Sequence, residues 1–345
     1  MKNLQSNNRI AIFDYIKAVA MLLVIYNHCV IGTLHRNELG YPFFVMLPVP
    51  ILMYLSGYTF SKSFEKYGGG ERHSFVQYYS FSQLTRKYSR FILPMIPIYM
   101  LRVLKNAVVD HDTVNLLDVV LKFFVAGNGG PGSYYFSTVL LLVALFPILY
   151  LIIKKGKEWG LFFLFLTNLV YDMLCWKLEM SYDIYRNLLF QYTFIVSCGI
   201  YSYLYHDKIK KWHMVLSAVI GFIYIVFTSY LGVIPKIIPF RYDTAWPIGF
   251  WVFPIMNIFL SKFYYFRLSN EHLNNAICAI GKASYHIFCV QLLWFVSSIE
   301  KKISNNLVIQ MGVSFVFCIV IGWVYYNFEQ WLRIKLDRNK KIAYI

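Results

Sequence analysis

Residues 139–153 read VLLLVALFPILYLII, residues 161–174 read LFFLFLTNLVYDML, and residues 214–231 read MVLSAVIGFIYIVFTSYL. Each stretch carries almost no charge and is long enough to cross, or nearly cross, a hydrocarbon core of about 30 Å. The whole chain shares this bias, since 58% of its residues are hydrophobic and 14% are charged. Soluble domains have about 45–50% apolar and about 25% charged residues. The sequence therefore predicts an integral membrane protein.

Ten apolar segments predict an all-α, polytopic membrane protein that forms one domain over residues 1–345. Loop charge predicts its orientation, because Lys and Arg are enriched in cytoplasmic loops. With the N-terminus inside, 21 of the 33 Lys and Arg residues fall on the inside and 10 on the outside. This favours both termini in the cytoplasm. The segments lie at residues 10–32, 42–62, 90–109, 134–153, 159–176, 186–205, 212–231, 246–265, 276–298 and 304–327.

The net charge of +16 at pH 7 invites the idea of a nucleic-acid partner, but the distribution of the charge opposes it. The basic residues flank the apolar segments and form no separate soluble patch. Membrane orientation and an anionic ligand at the cytoplasmic face are simpler explanations. The six cysteines lie in or beside apolar segments without metal-ligand or disulfide spacing, so we predict core packing and no metal site.

The first apolar segment contains three ionisable residues, Asp14, Lys17 and His28. Such groups are costly inside a membrane helix and usually mark a functional site. Lys17 and His28 share one helix face, about 16 Å apart along the axis, and Asp14 is one turn before Lys17, near enough to pair with it. The spacing suits a ligand with an anionic end near Lys17 and a reactive end near His28. The alternative is that Lys17 snorkels to the inner interface and His28 is hydrated at the outer one.

This helix resembles the first helix of the family 3 membrane acyltransferases, in which an aspartate precedes a basic residue, ten intervening residues and a histidine. Further similarities follow in the family's order. Residues 54–58 (YLSGY) resemble its Ser-Gly-aromatic motif, and residues 86–90 (RKYSR) resemble its basic cluster at the third helix. Residues 280–288 (IGKASYHIF) are similar to its Gly-Lys-x-Ser-Tyr segment, and residues 328–329 (FE) to its terminal glutamate.

Three parts of the sequence depart from the family pattern. Gln291 stands where the family often has a histidine, and residues 134–136 (YYF) replace a Trp-Phe-Leu-like entry to the fourth helix. Lys87 occupies the first place of the Arg-x-x-Arg pattern of the third helix. These differences concern the acyl donor and the choice of acceptor more than the reaction class.

The resemblance implies an O-acyltransferase of the plasma (bacterial inner) membrane. It is expected to move an acetyl group from cytoplasmic acyl-CoA, a co-substrate and not a tightly bound cofactor, to a cell-surface or lipid-linked carbohydrate. The partners are then acyl-CoA, the carbohydrate and membrane lipid; an oligomer is compatible with the sequence but not indicated by it. The phosphates of CoA need basic residues at the inner face. The candidates are Lys17, Arg86, Lys87, Arg90 and Lys282.

The same basic residues have simpler explanations. Residues 86–90 are compatible with a positive-inside signal for the third helix, and Lys282 is compatible with snorkelling. Both alternatives stay open from the sequence.

His28 is the candidate general base, because a neutral imidazole accepts a proton from a hydroxyl group near neutral pH. Asp14 is grouped with it as a catalytic candidate. Asn27, Tyr26 or an acidic residue of an outer loop are candidates for holding the tautomer of His28. Ser56 fits a helix break better than a nucleophile, since no Gly-x-Ser-x-Gly elbow surrounds it. We therefore expect direct transfer without an acyl-enzyme.

Other residues are candidates for the pocket or the acceptor side. His111, in a predicted outer loop, touches the acceptor or is simply solvated, and His286 lines the pocket or bonds a neighbouring helix. The rest are Ser56, Tyr58, Ser284, Tyr285 and Glu329. Two rival functions stay open, a transporter of a polar solute or glycan precursor and a catalytically silent sensor. The absence of repeat symmetry opposes the transporter.

Overall fold

The structure is a computed structural model that describes residues 10–30, 40–108, 115–124, 132–235, 238 and 245–342. Within these ranges the chain is helical, with no β-strand, so the all-α prediction is confirmed there. The helices in chain order are α1 (Ala11–Val30), α2 (Pro42–Val45), α3 (Pro48–Glu65), α4 (Arg72–Tyr78), α5 (Phe81–Val108), α6 (Leu116–Phe124), α7 (Tyr134–Lys177), α8 (Tyr182–Asn187), α9 (Thr193–Leu204), α10 (Lys211–Ile225), α11 (Ile248–Lys262), α12 (Glu271–Ser297), α13 (Ile299–Ile303) and α14 (Leu307–Ile342).

Seven helical stretches of the described residues are long and apolar enough to cross a membrane. A hydrocarbon core needs about 20 apolar residues of helix, and each stretch reaches that length. They are Ala11–Val30, Pro42–Glu65, Phe81–Val108, Tyr134–Lys177, Lys211–Tyr230, Glu271–Ser297 and Leu307–Lys335. The chain is therefore a multi-pass membrane protein.

The predicted segments 134–153 and 159–176 both lie in α7, which is not one straight helix. Its backbone leaves helical geometry at Lys157, where φ is 50° and ψ is −124°. A methyl group on Gly160 would lie 2.3 Å from the carbonyl oxygen of Ile152. A straight helix would separate residues eight positions apart by about 12 Å. The chain therefore doubles back here, and α7 has two legs.

The predicted segments 186–205 and 246–265 form shorter helices. The first is divided among α8, a 3₁₀ turn at Leu189–Tyr192 and the 12-residue α9, and the second contains the 15-residue α11. At 1.5 Å per residue, α9 is about 18 Å long, which is less than the hydrocarbon thickness. Ten crossings and the cytoplasmic position of both termini therefore stay predictions.

Helices α1 and α12 run parallel at the centre of the bundle. A methyl group on Gly281 would lie 2.1 Å from the carbonyl oxygen of Asp14, so only glycine permits this approach. Further along, the ring centroids of His28 and Phe295 are 5.3 Å apart. Both contacts have the same sequence offset, so the two helices keep their register over about four turns. Residues 282–286 of α12 therefore lie beside the first turns of α1.

Helix α14 packs antiparallel to α12. The indole Nε1 of Trp294 donates to Ser314 Oγ (2.9 Å) near the start of α14. His286, two turns earlier on α12, pairs with Glu329 near the end of the described side chains of α14. The polar end of α14 is thereby placed beside the start of α12.

Helix α5 contains Pro94 and Pro97, which lack a backbone donor. Two tyrosine hydroxyls bind carbonyls in this part of the helix. Tyr285 donates to the carbonyl of Phe91 (2.9 Å), and Tyr325 donates to the carbonyl of Pro94 (2.8 Å). These bonds hold the middle of α5, just after its basic residues, against α12 and α14.

The outward surfaces of α10 and α14 are apolar. Val215 and Val219 of α10 and Val316, Val320 and Trp323 of α14 are all exposed. Water would solvate such side chains poorly, whereas lipid tails solvate them well. The six cysteines, by contrast, are all buried, as the predicted packing role requires.

Candidate active site

One cavity of about 1000 Å³ lies between α1, α3, α5, α12 and α14. These helices come from two distant parts of the chain, residues 11–108 and 271–342, and the fold brings their side chains together. Most residues predicted for a site line this cavity: Lys17, His28, Ser56, Lys87, Arg90, Lys282, Ser284, Tyr285, His286 and Glu329.

Three predicted residues do not line the cavity. Asp14 is 1% exposed and is packed into the contact between α1 and α12. Tyr58 packs against two aromatic rings whose centroids lie 5.8 and 5.3 Å from its own. Arg86 is exposed, and its Nη2 donates to Gln83 Oε1 (2.6 Å) and to the hydroxyl of Tyr67 (3.0 Å). All three residues lie within or beside the family motifs in the sequence, but their side chains do not line the cavity. 

Lys17 and His28 face the same cavity from α1. Their eleven-residue separation corresponds to about 16 Å along the helix axis. The cavity thus extends along α1 from a lysine to a histidine, and a single elongated ligand can touch both.

The end of the cavity beside Lys17 is basic. We call it the basic end, and its cations are Lys17, Lys87, Arg90, Lys282 and Arg333. Lys282 follows Gly281 directly, so the contact between α1 and α12 brings it beside the start of α1. Lys87 Nζ lies 3.2 Å from the ring centroid of Tyr78, a cation–π contact, and 3.4 Å from its carbonyl oxygen.

Glu329 is the one carboxylate among the described residues that line the cavity. One oxygen pairs with His286 Nε2, and the other accepts from Arg333 Nε (2.6 Å). Arg333 Nη2 also approaches the carbonyl of Ser89 at 3.4 Å, next to Arg90. His286 thus does both things that the sequence left open, since it lines the cavity and bonds a neighbouring helix. Glu329 holds Arg333 at the basic end.

The opposite end contains His28, and we call it the histidine end, lined by His28, Asn27, Gly132, Tyr182 and Arg186. A methyl group on Gly132 would lie 3.7 Å from His28 Nε2, so the residues before α7 approach the imidazole closely. Asn27 Oδ1 accepts a hydrogen bond from the hydroxyl of Tyr41 (2.9 Å). Asn27 was one candidate for holding the tautomer of His28, and this bond already engages its Oδ1 atom.

Ser56 and His111 were also predicted for the site. Ser56 Oγ donates to the carbonyl of Leu52 (2.7 Å), the usual back-bond of a serine within a helix. That geometry gives no sign of an activated nucleophile. His111 lies outside the described residues, and its contact with an acceptor stays a prediction.

Gln291, which stands where the family often has a histidine, is fully buried in the cavity wall. Among the described residues, neither its Oε1 nor its Nε2 has a hydrogen-bond partner. An unpaired buried amide costs about 1–3 kcal/mol per group. Its place in the wall, between the basic end and the histidine end, makes it a candidate contact for a ligand.

Sequence reasoning missed Arg333 and Arg186 as cavity residues. Both looked like charges that flank a membrane segment. A signal for Arg333 was present, because it follows Glu329 by four residues and such pairs meet on a helix surface. Arg186 had no comparable signal, since its place depends on how the short α8 packs.

The family model described as an acyltransferase domain, of the acyltransferase 3 group, matches residues 10–327. This range includes Lys17, His28 and most of the other residues that line the cavity, and it ends two residues before Glu329. No curated protein and no solved structure matches the chain. Because the match extends over nearly the whole sequence, the chain belongs to the acyltransferase 3 family.

Proposed function

We propose that this protein is a membrane-bound O-acyltransferase that moves an acetyl group from cytoplasmic acetyl-CoA to a hydroxyl group of a cell-surface or lipid-linked carbohydrate. One observation carries the proposal: Lys17 and His28 line one cavity, with further cations at the Lys17 end. In this account the chain crosses the membrane ten times and the basic end faces the cytoplasm.

The basic end suits the nucleotide part of the donor. The phosphates of CoA carry several negative charges, and arginine forks bind phosphate oxygens in pairs. Lys17, Arg90 and Lys282 come from three helices, so an anion among them is approached from three sides. Glu329 orients Arg333 toward the same region without cancelling the charge of the cluster.

The distance along α1 suits the rest of the donor. CoA carries its thioester on an extended pantetheine arm, and the cavity runs about 16 Å along α1 from Lys17 to His28. With the phosphates at the basic end, the arm follows α1 past Gln291. The acyl carbonyl then lies near the histidine end.

His28 acts there as general base. Its neutral imidazole takes the proton of the acceptor hydroxyl while the oxygen attacks the thioester carbonyl. The carbon–sulfur bond then breaks, and the imidazolium returns the proton to the departing sulfur of CoA. The products are the carbohydrate ester and CoA, and His28 ends neutral. No acyl-enzyme is formed, which agrees with the back-bonded hydroxyl of Ser56.

The test uses the purified protein in lipid nanodiscs with acetyl-CoA and a carbohydrate acceptor. We expect release of CoA thiol that depends on the acceptor. His28→Ala should lower kcat about 10²–10⁴-fold, the usual contribution of a general base, and leave the affinity for CoA nearly unchanged. His272→Ala, at an exposed site on α12, is the matched control and should keep full activity.

A His28→Ala variant with full activity would remove the proposed base. Uptake of a polar solute into proteoliposomes without any CoA, together with no thioester cleavage, would favour the transporter instead.

A further inference from the structure

We infer that the acceptor at this site is anionic and that Arg186 binds its carboxylate or phosphate group at the histidine end. The inference rests on the proposed function, because it names the substrate class of the same cavity. It is drawn from α8, a short helix that the mechanism above does not use.

Contacts with the start of α7 place Arg186 at the histidine end. Gly132, just before α7, is beside His28 Nε2. One turn into α7, Ser137 Oγ bonds to Asn187 Oδ1 (3.3 Å), and Asn187 follows Arg186 in the chain. The residue just before α7 thus lies beside the imidazole, and the first turn of α7 contacts α8. Arg186 therefore shares this end of the cavity with His28 and not with the basic end.

A neighbouring face of α8 is anchored in the bundle. Tyr185 is 1% exposed, and its hydroxyl bonds to Asp172 Oδ1 (3.1 Å) in the second leg of α7. Its carbonyl accepts from the hydroxyl of Tyr171 (2.9 Å). With Tyr185 held in this way, Tyr182 and Arg186 are presented to the cavity.

The guanidinium of Arg186 has one exposed partner and one buried donor without an acceptor. Arg186 Nη2 lies 3.1 Å from Asp183 Oδ1, but the side chain of Asp183 is 70% exposed, and exposed ion pairs contribute little. Arg186 Nε is buried and has no hydrogen-bond partner among the described residues. The guanidinium carbon is 5.2 Å from the ring of Tyr182, which limits its motion. A guanidinium group restrained in this way suits a two-point contact with an anion.

A neutral acceptor would leave this arrangement unsatisfied. Glu329 is the one carboxylate in the described cavity lining, and it is already engaged with His286 and Arg333 at the basic end. A buried donor without an acceptor is costly. A carboxylate or phosphate group on the acceptor supplies the missing acceptor atoms and neutralises the charge.

Two sources supply this chemistry. One is an acidic sugar within the glycan, and the other is the phosphate that joins a glycan to a lipid carrier. Each source has its own pair of probes. The acidic sugar is tested with a glucuronate-containing oligosaccharide and its carboxyl-reduced counterpart. The lipid phosphate is tested with a neutral disaccharide carrying or lacking polyprenyl pyrophosphate.

The experiment measures binding of each probe to the nanodisc-embedded protein without acetyl-CoA, and then acetyl transfer with it. Wild-type protein should bind one anionic probe at least tenfold more tightly than its neutral counterpart. Arg186→Gln should abolish this preference and leave neutral-probe binding unchanged. Asp183→Asn, which removes the exposed partner, should keep or increase it. Lys177→Gln, an exposed charge outside the cavity, is the control and should leave the preference intact.

Equal binding of charged and neutral probes in both pairs would overturn the inference. So would an unchanged preference in Arg186→Gln, or a loss of similar size in Asp183→Asn or Lys177→Gln, since those results indicate a structural pair or a general surface charge. The ratio of affinities for the charged and the neutral probe does not depend on whether acetyl transfer takes place. Absence of acetyl transfer to every probe would contradict the proposed function, while the ratios would still decide the charge preference.

Discussion

The two ends of the cavity are built from different kinds of structure. The basic end takes its side chains from long helices, α1, α5, α12 and α14, which hydrogen bonds such as that from Tyr285 to Phe91 hold together. The histidine end combines α1 with the short α8 and the residues just before α7. Long packed helices hold a site rigidly, whereas short connecting elements vary more readily. In the proposed function, the invariant donor meets the rigid end and the acceptor meets the variable one.

The sharpest separation of the two ends comes from Lys17. Lys17→Gln should raise KM for acetyl-CoA about 10–100-fold and change kcat little. This is the effect expected from losing one hydrogen bond to a charged group. This is the converse of His28→Ala, which changes kcat and leaves donor affinity intact. Steady-state kinetics of both variants provide the measurement. Equal losses in kcat from the two variants would mean that the ends do not divide binding from chemistry.

Within the basic cluster, Arg90 and Arg86 form a matched pair on one helix. Arg90 lines the cavity, while Arg86 binds Gln83 and Tyr67. Arg90→Ala should weaken CoA binding by about tenfold, and Arg86→Ala should change it less than about twofold. Isothermal titration with CoA distinguishes them. A larger effect at Arg86 would mean that the sequence motif, and not the cavity, identifies the phosphate contacts.

Glu329 tests whether the basic end depends on an internal anchor. Glu329→Gln keeps the shape of the side chain but removes the charge that holds Arg333 and His286. We expect a severalfold weaker affinity for CoA and a lower Tm, because breaking a buried ion pair leaves a partner uncompensated. Titration with CoA and a thermal unfolding scan measure the two effects. A Tm equal to that of wild type would rule out the anchoring role.

Gln291 is expected to give the smallest loss of activity. Gln291→Leu replaces an unpaired buried amide with an apolar group of similar size, so it should increase stability by about 1–3 kcal/mol. If the amide contacts the donor arm, acetyl transfer falls at the same time, by less than in the variants above. A thermal scan and the transfer assay check both effects. Lower stability would show that the amide has a partner in the folded protein.

The sequence predicted the parts of the site that depend on one helix. Lys17 and His28 share a face of α1 because eleven residues are close to a whole number of turns, and the structure places both in one cavity. It did not predict contacts that depend on how other helices pack. Asp14, one turn before Lys17 in the sequence, is buried against α12, whose Gly281 permits the close contact.

The fold shows the same division between local and tertiary information. Apolar length identified the long helices, such as α1, α5, α12 and α14. It did not predict that residues 186–205 would be interrupted by a 3₁₀ turn before α9. The place of Arg186 in the cavity lining was hidden for the same reason, because the direction of its side chain depends on Tyr185 bonding to Asp172. Tertiary packing, and not local pattern, decides such positions.

The most direct test of the account is a cryo-electron microscopy structure of the protein in nanodiscs with a thioether analogue of acetyl-CoA, which cannot be cleaved. We expect the phosphates beside Lys17 and Arg90, the pantetheine arm along α1, and the acetyl mimic within contact of His28. Phosphate density at the histidine end would contradict the account. So would an analogue bound outside the cavity, with Lys17 and His28 touching lipid or separate compartments.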